Sequence, residues 1–397
     1  MNPGEWERAA QEVLADLTKS QLDRHRRLVT PIDATHVLLE GRTYLNFASN
    51  NYLGLSHHPK IVAAIQNAAR EFGAGSGASP LITGYGPAQE QAERHIASWK
   101  GTESAVLLPS GYQANHAAVQ TLAAIARKSG RGLRFLLDKL AHASLIDAVR
   151  GTGVEFRAFP HNGIAKLERL LSGSEAGQMQ VVVTESVFSM DGDTADLNAL
   201  AELKQRHPFF LLLDEAHATG VYGQAGSGFA NESGLRSAVD ASVITFSKAM
   251  GVSGGAVCGS NVFSDALVNL GRAYVYSTGV PPMIAAGAVA AIAVMQTEPA
   301  HQSRVRHLAL RLRSELARTN WQIPEGDSPI IPIVIGSEAN AIAAAESLRK
   351  EGMLALAIRP PTVPRGASRL RVTISAAHTD EEIGTLIGAI RGLPTPG

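Results

Sequence analysis

Residues 209–220 read Phe-Phe-Leu-Leu-Leu-Asp-Glu-Ala-His-Ala-Thr-Gly, and this stretch decides the fold. Its five apolar residues are typical of a short buried strand, and they end at Asp214. A second stretch, residues 242–251, reads Ser-Val-Ile-Thr-Phe-Ser-Lys-Ala-Met-Gly and has the same form, with Lys248 just past its apolar run. The two stretches therefore predict neighbouring buried strands that carry a carboxylate and a lysine at the same end.

A carboxylate and a lysine in this arrangement indicate a site for pyridoxal 5'-phosphate (PLP). The lysine would carry the aldehyde as a Schiff base, and the carboxylate would keep the ring nitrogen protonated. Taken alone, Asp214 could instead cap a helix or bind magnesium, and Lys248 could be a surface lysine on a turn. Small residues surround Lys248, with Gly251, Gly254 and Gly255 close behind it. Because a lysine in such a run indicates tight packing around its amine, the pair favours the cofactor site.

Short apolar runs alternate with helical segments through most of the chain. The seven runs lie at 104–108, 133–137, 154–159, 179–183, 209–213, 242–246 and 255–258. Continuously apolar strands are typical of sheets that helices cover on both faces. The sequence therefore predicts an α/β fold with a seven-stranded, mostly parallel sheet, whose ligands collect at the carboxyl ends of the strands.

The chain divides into three predicted parts. Residues 1–45 are expected to form an N-terminal helical segment, in which the basic run Arg24–Arg27 lies on a solvated helix face. Residues 46–289 are expected to form the large domain. Residues 290–397 predict a smaller α+β domain, whose last helix is N-capped by Thr379.

The composition excludes several classes of protein. The 36 basic and 36 acidic side chains balance, so no electrostatic footprint for nucleic acid is present. Cys258 is the single cysteine, and the 13 histidines show no metal-ligand spacing, so no metal site is expected. The N-terminus lacks the apolar core of a signal peptide. The apolar stretch 280–295 is predicted as a buried helix, so we expect a cytoplasmic protein with no membrane segment.

Polar residues follow several other predicted strands. Residues 110–112, Ser-Gly-Tyr, form a turn into a helix, which suits a phosphate group although such turns are common. His142 could stack on an aromatic ring or cap a turn, and Ser189 could contact a ring hydroxyl. His217 could approach the same hydroxyl or orient Asp214. Four strand ends with complementary groups strengthen the prediction of one shared cofactor.

Five motifs together resemble the α-oxoamine synthases, which are PLP enzymes of the aspartate-aminotransferase fold type (fold type I). The motifs are residues 44–55, Tyr-Leu-Asn-Phe-Ala-Ser-Asn-Asn-Tyr-Leu-Gly-Leu, residues 188–193, Phe-Ser-Met-Asp-Gly-Asp, residues 214–220, residues 357–364, Ala-Ile-Arg-Pro-Pro-Thr-Val-Pro, and residues 369–373, Arg-Leu-Arg-Val-Thr. The resemblance covers nearly the whole chain. The C-terminal motifs resemble most the members of the family that act in biotin biosynthesis.

The resemblance implies the residues around the PLP ring. Lys248 would bond to the aldehyde, His142 would stack on the ring and Asp214 would bind the pyridine nitrogen. His217 and Ser189 would lie near the ring hydroxyl. Lys248, His142, Asp214 and His217 are therefore the predicted catalytic residues.

The resemblance also implies the contacts to the phosphate group. Ser110, Gly111 and Tyr112 would meet it at the start of a helix, and Thr245 would add a contact. In this family the site lies between two subunits, so a homodimer with shared active sites is expected. Thr278 would then reach the phosphate of the neighbouring subunit.

The implied reaction is a decarboxylative condensation of L-alanine with a pimeloyl thioester of coenzyme A or acyl carrier protein. Asn50 and Arg371 would hold the carboxylate of the amino acid, and His142 would also face the substrate. Arg24 corresponds to a family position at the acyl-substrate entrance, and Thr362 to a position near the substrate. Loss of carbon dioxide and release of the thiol would complete the reaction.

Other functions remain open at this point. Within the same chemistry, 2-amino-3-ketobutyrate CoA ligase, 5-aminolevulinate synthase and serine palmitoyltransferase differ in amino acid and acyl donor. A ligand-sensing domain of a transcription factor would need a DNA-binding segment, for which the residues before the family motifs leave little room. A nicotinamide-dependent dehydrogenase would need a glycine fingerprint that follows a strand and opens a helix, and residues 73–77 and 223–228 lack that context.

Overall fold

The computed structural model describes residues 3–20, 22–175 and 177–394. The α-helices are, in chain order, α1 (Pro3–Lys19), α2 (Pro59–Phe72), α3 (Pro87–Lys100), α4 (Gly111–Lys128), α5 (Ala143–Gly151), α6 (Ile164–Ser172), α7 (Leu197–Arg206), α8 (Phe229–Glu232), α9 (Asn261–Leu270), α10 (Arg272–Val275), α11 (Pro282–Thr297), α12 (Ala300–Leu316), α13 (Glu338–Lys350) and α14 (Asp380–Arg391). The strands are β1 (Val29–Pro31), β2 (His36–Leu39), β3 (Arg42–Asn46), β4 (Ser104–Leu108), β5 (Leu133–Asp138), β6 (Glu155–Phe159), β7 (Met179–Glu185), β8 (Phe210–Asp214), β9 (Ala241–Thr245), β10 (Gly255–Gly259), β11 (Ile330–Gly336), β12 (Met353–Leu354), β13 (Leu356–Ile358) and β14 (Ser368–Thr373).

The seven predicted apolar runs form one sheet with the strand order β4-β10-β9-β8-β7-β5-β6. All pairs from β9 to β6 are parallel, whereas β10 is antiparallel to both of its neighbours. The sheet confirms the predicted α/β class. Its register places Glu185 of β7 beside Asp214 of β8. Polar residues from separate strands therefore meet at one edge.

Helices cover the sheet on both faces. The core between one face and its helices contains Val119, Leu145 and Leu267, which belong to α4, α5 and α9. The core on the opposite face contains Leu167 and Leu200, which belong to α6 and α7. Because neither face meets water, the strands need apolar residues on both sides, which explains their continuous hydrophobic runs.

The N-terminal segment differs from the helical prediction. The helix ends at Lys19, and the basic run Arg24–Arg27 lies outside any helix or strand. Residues 29–46 form β1, β2 and β3 instead. Glu40 and Gly41 both have positive φ values, 52° and 76°, which suits the tight hairpin between β2 and β3. Alternate residues of this hairpin are buried, and that spacing stabilises strands rather than a helix.

The C-terminal unit combines a small sheet of order β11-β14-β13 with α12, α13 and α14. The predicted cap of α14 is confirmed, since Thr379 and Glu382 form a reciprocal capping box. β12 pairs in parallel with β3, which joins the N-terminal strands to this unit. The predicted boundary at residue 290 falls inside α11.

The predicted buried helix is α11, which packs against α2 and α3. Among the described residues no single helix is long and apolar enough to cross a membrane. Within the same residues, only α11 and α12 taken as a pair reach that length and apolarity, and these two helices are bent by 74° at their junction.

Candidate active site

Asp214 lies at the carboxyl end of β8 and is buried. Its Oδ2 accepts a hydrogen bond of 2.7 Å from Nδ2 of Asn115, and its Oδ1 accepts one of 2.8 Å from the backbone N–H of Ala216. Asn115 also donates to Oγ of Ser144 at 2.9 Å. These bonds fix the orientation of the carboxylate at the edge of the sheet, because each of its oxygens has a defined donor.

Lys248 follows β9 in a tight turn that brings its chain close to the segment after β3. Gly251 has a φ of 69°, and a Cβ atom built on it would lie 2.5 Å from the backbone nitrogen of Ser56. Only glycine fits this approach without displacing the chain. Desolvation lowers the pKa of Lys248 to about 8, although the charges of Asp214 and Glu185 oppose the shift. A lysine with a pKa near 8 is a much better nucleophile at neutral pH than an ordinary lysine.

This pKa predicts the pH dependence of cofactor capture by the protein stripped of PLP. The neutral amine reacts with an aldehyde, so the rate should rise as pH increases through 8 and level off above about 9. Stopped-flow absorbance over a pH series would measure it, with K248A as the blank and a simple alkylamine as the reference. A rate that continues to rise above pH 10 would show that Lys248 has an ordinary pKa.

Ser110 caps the N-terminus of α4, where its Oγ accepts a hydrogen bond from the backbone N–H of Gln113. The first N–H groups of a helix have no acceptor within it, so this turn suits an anion. A Cβ atom on Gly111 would lie 3.1 Å from Cβ of Thr245, so Gly111 allows the turn to approach β9. The structure therefore brings together Ser110, Gly111 and Thr245, the predicted phosphate contacts.

The side chain of Tyr112 turns away from this approach to β9. It is 48% exposed, its hydroxyl donates to Oδ2 of Asp147 at 3.2 Å, and its ring stacks on His116. Because Tyr112 lies in the first turn of α4, its backbone N–H is the group that could serve an anion there. Thr278 is exposed, and Oγ of its neighbour Ser277 accepts a hydrogen bond from Gln113.

Two histidines approach the same edge of the sheet. His142 caps α5 through Nδ1, which lies 2.7 Å from Oγ of Ser144. His142 is exposed to solvent in the isolated chain. His217 is buried, with Nδ1 2.7 Å from the hydroxyl of Tyr52. Burial, reinforced by the positive charges of Lys248 and Arg371, lowers the pKa of His217 well below its usual value. His217 is therefore neutral at neutral pH.

Arg371 lies on β14 and reaches the same site. Its Nη1 and Nη2 each donate to Oδ1 of Asn50 at 3.1 Å, and Nε donates to the main-chain carbonyl of Ser189 at 2.6 Å. Nη2 also lies 3.4 Å from the hydroxyl of Tyr52. The predicted pair of Asn50 and Arg371 is thus in direct contact, with Ser189 beside it.

Sequence reasoning missed three residues of this site: Asn115, Glu185 and Tyr52. Glu185 ends an apolar strand as Asp214 does, so the same pattern would have identified it. Burial and the adjacent charge of Asp214 raise its pKa well above the usual value, and its Oε1 has no hydrogen-bond partner among the described residues. Asn115 and Tyr52 carried no comparable signal, because only the tertiary fold brings them to the sheet edge.

Arg24 and Thr362 line one cavity of about 770 Å³. The cavity lies between the basic run and β12–β13, and the apolar side chains of Ile342 and Leu356 also line it. Arg27 adds a second positive charge from the basic run. The structure therefore brings together two residues that are 338 positions apart in the sequence.

The family model for class I and II aminotransferases matches residues 42–390. The chain belongs to the class I and II aminotransferase family. Within this family it is 40% identical over 385 residues to an 8-amino-7-oxononanoate synthase of Gluconacetobacter diazotrophicus, a match that covers 96% of this chain and 95% of the relative. The corresponding enzyme of Cellvibrio japonicus is 39% identical and covers 93% of this chain and 94% of its own.

Solved structures of PLP enzymes have the same fold as this chain. Serine palmitoyltransferase of S. paucimobilis, with a bound PLP–myriocin aldimine, superposes with a TM-score of 0.91 at 27% identity, covering 99% of this chain and 98% of its own. An 8-amino-7-oxononanoate synthase of Francisella tularensis gives a TM-score of 0.75 at 25% identity, and the match covers 88% of this chain and 97% of its own. The predicted fold type I and the resemblance to α-oxoamine synthases are confirmed.

Proposed function

We propose that this protein is a PLP-dependent 8-amino-7-oxononanoate synthase. It condenses L-alanine with a pimeloyl thioester and releases carbon dioxide and the free thiol, a step of biotin biosynthesis. The observation that carries the proposal is the convergence of Asp214, Lys248 and the Asn50–Arg371 pair at one sheet edge, in a chain about 40% identical to such synthases over nearly its full length.

The residues at this edge fit PLP. The buried carboxylate of Asp214 suits a protonated ring nitrogen, since opposite charges about 4 Å apart gain roughly 4 kcal/mol at an effective dielectric constant near 20. The Ser110–Gly111 turn and Thr245 suit the phosphate, and the amine of Lys248 suits the aldehyde. His142 would cover one face of the ring. A buried oxygen of Glu185 at the same edge has no partner within the described part of the chain, which leaves a polar atom for a ligand.

PLP, when bound, supplies an electron sink that stabilises negative charge at the α-carbon of the amino acid. Lys248, with its lowered pKa, removes and returns the α-proton as general base and acid. His217 stays neutral, so it would help to hold the ring without adding a positive charge. The main-chain carbonyl of Ser189 accepts a hydrogen bond from Arg371, and Ser189 would lie near the ring hydroxyl.

Arg371 and Asn50 select an amino acid by its carboxylate. The guanidinium of Arg371 presents two parallel donors, which match the two oxygens of a carboxylate in a way that lysine cannot. Its Nε bond to the Ser189 carbonyl keeps this fork aimed at the site. The α-carbon of alanine would thereby be held at the amine of Lys248.

The acyl donor would enter through the cavity lined by Arg24 and Thr362. Its positive charges suit the carboxylate or phosphate groups of a pimeloyl thioester, and its apolar wall suits the acyl chain. A homodimer with shared active sites would cover the exposed His142 and Thr278. Helix α1 supports this assembly, because it exposes Trp6, Val13 and Leu14 at 69%, 60% and 59%.

An amino-acid and acyl-donor panel tests the proposed function. Release of free thiol from pimeloyl-CoA or pimeloyl-acyl carrier protein should depend on L-alanine, and mass spectrometry should identify 8-amino-7-oxononanoate as the product. Glycine with acetyl-CoA and serine with palmitoyl-CoA serve as controls for 2-amino-3-ketobutyrate CoA ligase and serine palmitoyltransferase. Thiol release that requires glycine or serine rather than alanine would contradict the proposal.

A further inference from the structure

Three potential metal ligands meet where the N-terminus of α2 lies against the bend between α11 and α12. His58 is the N-cap residue of α2, Glu298 follows α11 directly and His301 lies in the first turn of α12. They belong to segments about 240 residues apart in the chain. The PLP site involves none of them.

The ligand atoms have the spacing of a coordination shell. Nε2 of His58 lies 3.3 Å and Nε2 of His301 lies 3.5 Å from the same oxygen, Oε2 of Glu298, and all three atoms lie within 4.8 Å of one another. Charge-assisted N–H···O bonds are shorter, at about 2.7–2.9 Å. Tetrahedral zinc with bonds of about 2.0–2.1 Å separates its ligands by about 3.3–3.4 Å. Nε2 of His58 is within hydrogen-bond reach of Oε2 of Glu298, and both histidine distances also match the separations between zinc ligands.

The surroundings leave Oε2 available for a metal. Lys60 donates to the other carboxylate oxygen, Oε1 of Glu298, at 2.7 Å. The side chain of His58 is only 13% exposed, whereas those of Glu298 and His301 are about one third exposed. Water can therefore reach the cluster as a further ligand.

We propose that His58, Glu298 and His301 form a binding site for a divalent transition metal, with zinc as the best match. Two imidazoles and one carboxylate form a donor set that zinc favours, whereas magnesium and calcium prefer oxygen ligands alone. Water completes the fourth position. A bound metal links α2 to the α11–α12 bend and so stabilises a contact between distant parts of the chain.

Zinc titration of the PLP-saturated, metal-depleted protein tests this site. Calorimetry should show one zinc ion per chain, and the thermal midpoint should rise by roughly 2–5 °C at a zinc concentration about 100-fold above Kd. Replacement of one ligand in H301A should weaken zinc binding at least about tenfold, since even partners of metal ligands contribute that much. His307 on the same helix is exposed and outside the cluster, so H307A is the matched control and should bind as the wild type does.

A second variant, E298Q, separates metal binding from folding. It keeps the size of the side chain but removes the anionic ligand, so it should also lose zinc affinity while it retains PLP content and helical circular dichroism. Wild-type protein that binds no zinc would overturn the proposal. So would unchanged zinc affinity in both H301A and E298Q, because the metal would then bind elsewhere.

Discussion

Replacement of Lys248 by alanine should abolish the borohydride-reducible link between PLP and the chain. The same variant should lower the turnover number for condensation by at least about 10³-fold, because it removes both the nucleophile for the aldehyde and the general base for the α-proton. Reduction with borohydride, denaturation and measurement of cofactor absorbance on the chain would quantify the link. Assays of thiol release under saturating substrates would give the turnover number.

A control variant distinguishes this role from a general effect of removing a lysine. Lys139 also follows a strand end, but it is exposed on a turn after β5. K139A should retain both the link and the activity. PLP should still associate reversibly with K248A, because Asp214 and the Ser110–Gly111 turn are intact. A reducible link that survives in K248A would refute the assignment of Lys248.

Replacement of Arg371 by alanine should raise the KM for alanine by roughly 10²-fold or more. Loss of one member of a buried, charge-assisted pair costs about 2–5 kcal/mol, and here the carboxylate of the amino acid would lose both donors of the fork. The KM for the pimeloyl thioester should change much less, because the cavity of Arg24 and Thr362 is separate. Steady-state kinetics with each substrate varied in turn would measure this split.

Two further variants exclude a structural explanation for the effect of R371A. R371K keeps the charge but lacks the planar fork, so it should recover only part of the alanine affinity. Arg369 lies two residues earlier on β14, is also buried and pairs with Asp191. R369A therefore reports the cost of losing a buried arginine from the same strand, without the selective effect on alanine. A larger effect of R371A on the acyl donor than on alanine would contradict the proposed role.

The sequence predicted the seven-stranded sheet because the signals of its strands are local. Most of the runs are short and mainly apolar, and those at 133–137, 179–183, 209–213 and 242–246 are followed by a polar residue, so these strands and their carboxyl ends could be identified without knowledge of their partners. The cap of α14 was predictable for the same reason, since Thr379 and Glu382 lie three residues apart. The N-terminal region misled the prediction because β1, β2 and β3 are short, and β3 pairs with β12 from the far end of the chain.

The sequence by itself determined the α/β class, the positions of Asp214 and Lys248 at neighbouring strand ends, and the family resemblance that pointed to Arg371. Only the tertiary structure decided which other distant residues complete the site, namely Asn115 at Asp214, Glu185 beside it and Tyr52 at His217. The tertiary structure also determined that the Tyr112 hydroxyl bonds to Asp147, and that His58 and His301 lie beside Glu298. The reason is physical: periodicity and capping act within a few residues, whereas these contacts depend on strand register and helix packing across hundreds of residues.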